Sequence, residues 1–233
     1  MMLKASSSAT WNSDLCSAYD EWMKLHSWLM AQSYDWLLRK TEQRCFGPWR
    51  QELLQHACGE LLEIGAGTGT NLPYYPLELS GITLSEPDPQ MRRRLENKFN
   101  VPAGNRALAP WSAEQIELPD QSFDTIVSSL VLCSVQNQQQ ALSETYRLLR
   151  PGGQLLFLEH IVASDEKTRK RQKMLEPLWR CCSGNCHLTR DTLSEIEKSG
   201  LQIEKLQEDE IVGAPAILRR AVRGVARKPV ALG

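Results

Sequence analysis

The stretch LLEIGAGTGTNLPYYP, Leu61 to Pro76, restricts the chain more than any other. A short apolar run fit for a strand ends abruptly in Gly65, Gly67 and Gly69. Glycine reaches positive φ at no steric cost and lets a ligand come close to the backbone. In open α/β sheets, ligands bind at the carboxyl ends of the strands, where such a turn places backbone N–H groups. The rest of the chain agrees with a sheet of this kind. Strand-like runs recur at Glu60–Ile64, Gly81–Leu84, Arg106–Ala109, Thr125–Ser129 and Gln154–Glu159, with helical runs at Asp88–Phe99 and Asn137–Leu149 among them. Strands alternating with helices predict a parallel, doubly wound α/β sheet with right-handed crossovers. Leu149-Arg150-Pro151-Gly152-Gly153 stops a helix and turns the chain into the fifth strand. Thr168–Trp179 and Thr189–Lys198 then read as helices, and Leu201–Leu206 and Ala216–Ala226 as late strands, joined hairpin-like across Glu208–Pro215.

Upstream of the glycine turn, residues 1–13 read as a polar tail. A helical pattern runs from about Leu15 to Phe46, in two pieces, and ends at Gly47-Pro48. Five of the seven tryptophans precede residue 50, and Trp22, Leu25, Leu29 and Trp36 approximate one helical face. The expected organisation is an N-terminal tail and helical cap over residues 1–50, then the main domain over 51–233. The Trp-rich face packs on that domain, closes over an apolar substrate, or rests on a membrane surface. With 233 residues, 42% of them hydrophobic, the chain can bury one sizeable core.

A net charge of −1 supplies no field for nucleic acid. The basic runs Arg169–Lys173 and Arg219–Lys228 read as solvated faces. No run approaches the ~18 apolar residues of a membrane span, and Met1–Thr10 has no signal-peptide core. Seven cysteines, an odd number scattered through apolar and helical segments, predict free thiols in a reducing, cytoplasmic setting. Cys181, Cys182, Cys186 and His187 spell C-C-x3-C-H, which is not one of the usual structural zinc patterns, so no metal site is expected.

The spacing G-x-G-x-G departs from the dinucleotide fingerprint G-x-G-x-x-G, and no Gly-Lys-Ser/Thr follows as a P-loop needs. An NAD-linked oxidoreductase is disfavoured on that ground. Pro73 and Pro76 interrupt the helix after the turn, weakening the dipole a pyrophosphate would use. Glu86 lies 21 residues past Gly65, at the end of the second strand. An acid there accepts hydrogen bonds from both ribose hydroxyls and repels a 2′-phosphate. Glu63 sits inside the first strand, where a carboxylate is costly to bury without a partner. A cationic ligand group suits it, so the turn points to a cationic, phosphate-free adenosine compound.

These residues resemble the class I S-adenosylmethionine-dependent methyltransferases. LLEIGAGTGTN resembles their first motif, and Glu86 their ribose-binding acid. Ser112-Ala113-Glu114, followed by Leu118-Pro119, resembles the adenine-contacting loop. SFDTIVSSLVLCSV (Ser122–Val135) resembles the fourth strand and LRPGGQLLFLEH (Leu149–His160) the fifth. The resemblance implies a Rossmann-like seven-stranded sheet with its last strand antiparallel. It implies S-adenosylmethionine as cofactor and S-adenosylhomocysteine as product. Within the superfamily, LVLCSVQNQQQALSETYRLLRPGG, FLEHI and CHLTRD are similar to the alkyl thiol methyltransferases, and more distantly to the ubiquinone/menaquinone-biosynthesis group. The microsomal thiol enzymes carry a hydrophobic N-terminal anchor; here a Trp-rich amphipathic segment stands in that place.

By this resemblance Gly65, Gly67, Thr68 and Gly69 lie against the cofactor's methionine part, and Glu63 holds its ammonium group. Glu86 and Pro87 lie at the ribose, Ser112, Ala113 and Glu114 at the adenine, and Ser129 and Leu130 at the sulfur. Asn71 and Tyr34 are candidates for closing the site. Methyl transfer from a sulfonium is an in-line displacement that chiefly needs alignment of donor and acceptor. A thiol acceptor must react as thiolate, from an ordinary pKa near ~8.5, so a modest base suffices. A hydroxyl or ring carbon needs a better-placed one. His160, ending the fifth strand, is the candidate base or orienting group, and His187, with Arg190, a candidate acceptor contact. Cys133 either faces the cofactor or simply packs. The expected function is S-adenosylmethionine-dependent methylation of a small, apolar acceptor, with a thiol first. A quinone-like or secondary-metabolite ring, a lipid headgroup amine, and cofactor binding without catalysis are the alternatives.

Overall fold

The computed structural model describes residues 28, 29, 32, 35, 36, 38–99 and 105–230. Tyr34, Trp11, Trp22 and the polar tail lie outside the described residues. Seven strands form one sheet: β1 (Glu60–Ile64), β2 (Gly81–Ser85), β3 (Asn105–Ala109), β4 (Phe123–Ser129), β5 (Leu149–His160), β6 (Gln202–Glu210) and β7 (Arg220–Arg227). Their order is β3-β2-β1-β4-β5-β7-β6. The first five run parallel, and β7 is antiparallel to both β5 and β6. This is the expected doubly wound sheet with its last strand antiparallel. The chain steps outward from β1 to β3 and then returns to place β4 on the other side of β1. That reversal opens a crevice at the carboxyl ends of β1 and β4.

Five helices are named here: α1 (Gly47–Leu54), α2 (Pro89–Phe99), α3 (Gln138–Leu148), α4 (Glu166–Cys182) and α5 (Thr192–Lys198). The strands alternate apolar residues between two buried faces, as parallel sheets covered on both sides do. Leu62, Ile64, Ile126, Leu155 and Phe157 pack with Leu142, Leu148 and Ile196 of α3 and α5. Leu61, Val127, Leu156 and Leu158 pack with Phe46, Leu53 and Leu54 at α1, and with Leu84 and Leu95. Alternation in β1 therefore puts Glu63 on the Leu61 side, facing α1. β6 forms one edge of the sheet, and its run of exposed Gln, Glu and Lys keeps that edge solvated.

Four boundaries differ from expectation. Gly47-Pro48 does not end the N-terminal helix. The π-turn Glu42–Phe46 passes into α1, with Pro48 in its first turn, where a missing N–H goes unnoticed. The expected boundary at residue 50 thus falls inside α1, and residues 45 and 46 join the same apolar cluster as the sheet. β5 begins at Leu149, because Leu149 already pairs with Phe123 before the glycines. The last strand begins only at Arg220, since Ala216–Leu218 forms a 3-10 turn. α5 begins at Thr192, because Asp191 caps it through Ser194 N.

Candidate active site

The crevice gathers most of the expected cofactor residues. β1 runs out into Gly65 and Gly67, both in the left-handed region at φ +58° and +56°. A Cβ at Gly65 would fall 2.8 Å from a Val131 methyl, so the turn and the loop after β4 meet there. A Cβ at Gly67 would meet nothing within 4 Å. That open face of the backbone is where a ligand fits. Gly69 N–H closes the turn on Ala66 O at 2.9 Å. Only the short 3-10 turn Leu72–Tyr74 follows, as the two prolines require.

Two buried acids flank the turn. Glu86 Oε2 accepts from Gly67 N–H at 2.7 Å, and its Oε1 from Asp88 N–H at 2.8 Å. Burial raises its pKa, and both backbone bonds oppose that rise. Pro87 beside it is exposed. Glu63 Oε1 accepts from Asn71 Nδ2 at 2.7 Å, and Oε2 from the Tyr75 hydroxyl at 2.8 Å. Burial pushes the Glu63 carboxyl up to about 7, against the pull of those bonds. A buried carboxyl so close to the point of ionisation is one that a cationic ligand group would stabilise.

Arg50, on α1, was not foreseen from the sequence. It is buried, and its Nη1 donates to Asn71 Oδ1 and, at 2.6 Å, to Ser129 Oγ. Its Nε donates to Glu42 Oε1 at 3.0 Å. Asn71 thus joins a buried cation to a buried acid, an arrangement matched to an ammonium and a carboxylate on one carbon. The expectation of a helix stop at Gly47-Pro48 hid Arg50. Thr68 Oγ1 donates to Asp35 Oδ1 at 2.6 Å, and Asp35 also pairs with Lys98 at 3.2 Å. The described part of the cap is therefore tied to the glycine turn.

On the adenine side, Ser112 bridges to Gln115 and Ala113 is buried. The Glu114 carboxylate turns away to the start of α3, accepting from Gln136 N–H at 2.7 Å and Asn137 N–H at 3.3 Å. Past Ser129, Leu130 has φ +61°, a strained conformation for leucine, held by its N–H on Leu158 O at 2.7 Å.

The loop after β4 is fixed by Glu159, which the sequence did not reveal, and by Arg190, expected beside His187 as an acceptor contact. Glu159 is fully buried and accepts from Ser128 Oγ and from the N–H groups of Val131, Leu132 and Cys133, at 2.7–3.2 Å. Arg190 donates to Leu132 O and Val135 O, both at 2.7 Å. His160 Nε2 lies 3.2 Å from Ile217 O, and His187 Nδ1 lies 3.0 Å from Glu176 Oε1. The Cys133 thiol faces Cys186.

A switch-point crevice, an open glycine turn and paired buried acids define a site for a cationic adenosine cofactor. The chain belongs to the class I S-adenosylmethionine-dependent methyltransferases, enzymes whose cofactor is S-adenosylmethionine. Residues 62–157 match the family model described as "Methyltransferase domain". Residues 112–229 also match the model described as "Anamorsin, N-terminal". The chain is similar to Thiol S-methyltransferase TMT1A of Homo sapiens, 33% identical over 175 residues, covering 72% of this chain and 70% of that protein. It is likewise similar to Thiol S-methyltransferase TMT1B of Rattus norvegicus, 38% identical over 146 residues, covering 60% of this chain but only 58% of the rat protein. The N-methyltransferase NodS of Bradyrhizobium japonicum WM9, solved with S-adenosyl-L-homocysteine, shares the fold at TM-score 0.59 and 19% identity, covering 81% of this chain and 87% of that one.

Proposed function

We propose that the protein transfers a methyl group from S-adenosylmethionine to the sulfur of a small, apolar thiol. The observation that carries the acceptor class is the 33% identity shared with TMT1A across 70% of that protein. The geometry supports the donor half. Glu63 would hold the cofactor's ammonium and Arg50 its carboxylate, with Asn71 positioning both. Glu86 would take the ribose hydroxyls, with Pro87 beside it. Gly65, Gly67, Thr68 and Gly69 would lie along the methionine part, Ser112, Ala113 and the Glu114 backbone at the adenine, and Ser129 and Leu130 at the sulfur. Tyr34 belongs to this proposal by sequence alone.

When bound, the cofactor supplies an activated methyl on a sulfonium. The chain's own residues align the acceptor and exclude water. A thiol needs only ionisation. His160 and His187 would act on the acceptor side as orienting groups. Trp28, Leu29 and Trp36, all exposed on the cap, favour an apolar acceptor or contact with a membrane surface. The free described cysteines favour a reducing, cytoplasmic location.

The test is incubation of the full chain with methyl-labelled cofactor and a panel of alkyl thiols, phenols, quinols and lipid amines. Label is expected in the thiols. Label in a quinol carbon or an amine instead would replace the thiol reading. Cofactor binding with no label in any acceptor would leave a binding protein.

A further inference from the structure

Among the described residues, two buried side-chain nitrogens lack hydrogen-bond partners, His160 Nδ1 and Trp179 Nε1. Both border one group, the thiol of Cys186. His160 is 4% exposed, and its Nε2 faces a carbonyl, Ile217 O, which can only accept. Nε2 therefore carries the proton, and Nδ1 turns a lone pair toward Cys186. The Cys186 thiol also lies beside the Cys133 thiol. Cys133 is buried, whereas Cys186 is partly exposed. A backbone bond from His187 N–H to Cys133 O, at 2.8 Å, pins the two chain segments at adjoining residues. That close pinning suits a disulfide, which spans roughly 4.4–6.8 Å between Cα atoms.

The Cys133 contact, then His160 and Trp179, hold the Cys186 thiol well below its ordinary range. The same contact, with burial and the nearby Glu159 charge, pushes Cys133 up. Arg190 is the facing cation. This asymmetry separates an attacking thiol from a waiting one.

We propose that Cys186 and Cys133 form a redox-active pair that reduces low-molecular-weight disulfides, with Cys186 as the attacking and Cys133 as the resolving sulfur. Cys186 sulfur attacks one sulfur of the disulfide. Its S–S bond breaks, and one thiolate leaves, taking up the proton that Cys186 gave up. Cys186 now carries a mixed disulfide. The contact that chiefly held the Cys133 proton is gone, so Cys133 loses that proton to solvent and attacks the Cys186 sulfur. The second thiolate leaves and is protonated. The protein has lost two electrons, and one disulfide has become two thiols. An excess of monothiol reverses both steps.

The test reads thiol–disulfide exchange alone, so it needs no methyl transfer. Oxidised glutathione is added to the full chain at neutral pH, remaining thiols are trapped with iodoacetamide, and peptides are mapped by mass. A Cys133–Cys186 crosslink is expected, with two glutathiones released per chain. At pH 6, iodoacetamide alone should label Cys186 about tenfold faster than the exposed Cys58, Cys181 and Cys182. Cys133→Ser should stall at the Cys186–glutathione mixed disulfide. Both wild-type measurements stand even if that variant fails to fold. Oxidation that pairs other cysteines, or a Cys186 labelled no faster than its exposed neighbours, overturns the proposal.

Discussion

The two sides of the crevice are built on different principles. The donor side, from β1 to the start of α2, is built around a backbone turn, with the Glu63, Asn71 and Arg50 side chains beside it. Left-handed glycines expose N–H groups, and Glu86 accepts from Gly67 N–H, 19 residues away, and from Asp88 N–H, two residues away. The proposed acceptor side is made of side chains reaching across the sequence. Glu159 grips the loop after β4 from 26 to 28 residues away, and Arg190 from 55 to 58. Gly65 is where the sides touch, through Val131. A backbone site serves one invariant ligand, the cofactor. A side-chain scaffold lets the acceptor pocket be rebuilt without disturbing it.

The largest break in this contrast should come from Glu159→Ala. Three backbone N–H groups and Ser128 lose their acceptor at once. Unpaired buried donors cost about 1–3 kcal/mol each, so a loss of roughly 4 kcal/mol is expected in urea unfolding. A loss under about 1 kcal/mol would mean that water or a relaxed loop replaces the carboxylate, and that Glu159 is no clamp.

Next in size is the donor-side response to pH. Glu63 titrates at about 7 in the fold, against 4.5 ordinarily. The folded state therefore binds the extra proton, and this contribution to stability is complete below pH 4.5 and lost as pH rises through 7. The loss amounts to about 3 kcal/mol for the cofactor-free protein. Glu63→Gln should flatten that slope. Because a cation favours the ionised carboxyl, cofactor binding to the wild type should tighten about tenfold more between pH 6 and 8 than binding to the variant. Equal pH profiles in the two proteins would remove Glu63 from the ammonium site.

Gly65→Ala and Gly67→Ala separate fold from binding. Both force alanine into the left-handed region, at about 1–2 kcal/mol. Only Gly65→Ala also collides with Val131, adding about 1–3 kcal/mol. Gly67→Ala should keep most of its thermal stability yet lose cofactor affinity at least about tenfold, because its methyl fills the open face of the turn. Unchanged affinity in Gly67→Ala, by calorimetric titration, would place the cofactor elsewhere.

The same contrast explains what the sequence made legible. The glycine spacing, Glu63 and Glu86 are local demands of backbone geometry, so they can be read from a few neighbouring letters. The parallel sheet follows from the alternation of strands and helices, and its antiparallel last strand from the family resemblance. Arg50 was hidden because Pro48 reads as a helix stop, although a proline is harmless in a first turn. Glu159 was hidden because FLEHI reads as a strand end, and no local pattern says that its carboxylate caps three amides a crossover away. The Cys133–Cys186 contact joins residues 53 apart, and only the folded sheet brings them together.

The smallest expected effect tests whether the acceptor side stands apart from cofactor binding. His187 Nδ1 contacts Glu176 Oε1 at 3.0 Å, and Glu176 also accepts from Thr189 N–H at 3.0 Å, so the turn before α5 is fastened to α4 twice. Burial and the Arg190 charge hold the His187 pKa below its ordinary range. The unfolded chain therefore binds the proton more readily, and this contribution is complete above pH 6.5 and lost as pH falls below it, opposite in sign to Glu63. His187→Ala should cost only about 0.5–1 kcal/mol, because the Thr189 bonds to Glu176 survive. Cofactor affinity should stay within about twofold, while KM for the thiol rises with little change in kcat, as loss of uniform acceptor binding predicts. Were cofactor affinity to fall as much as acceptor binding, the two sides would be one coupled unit, and the division drawn at Gly65 would not hold.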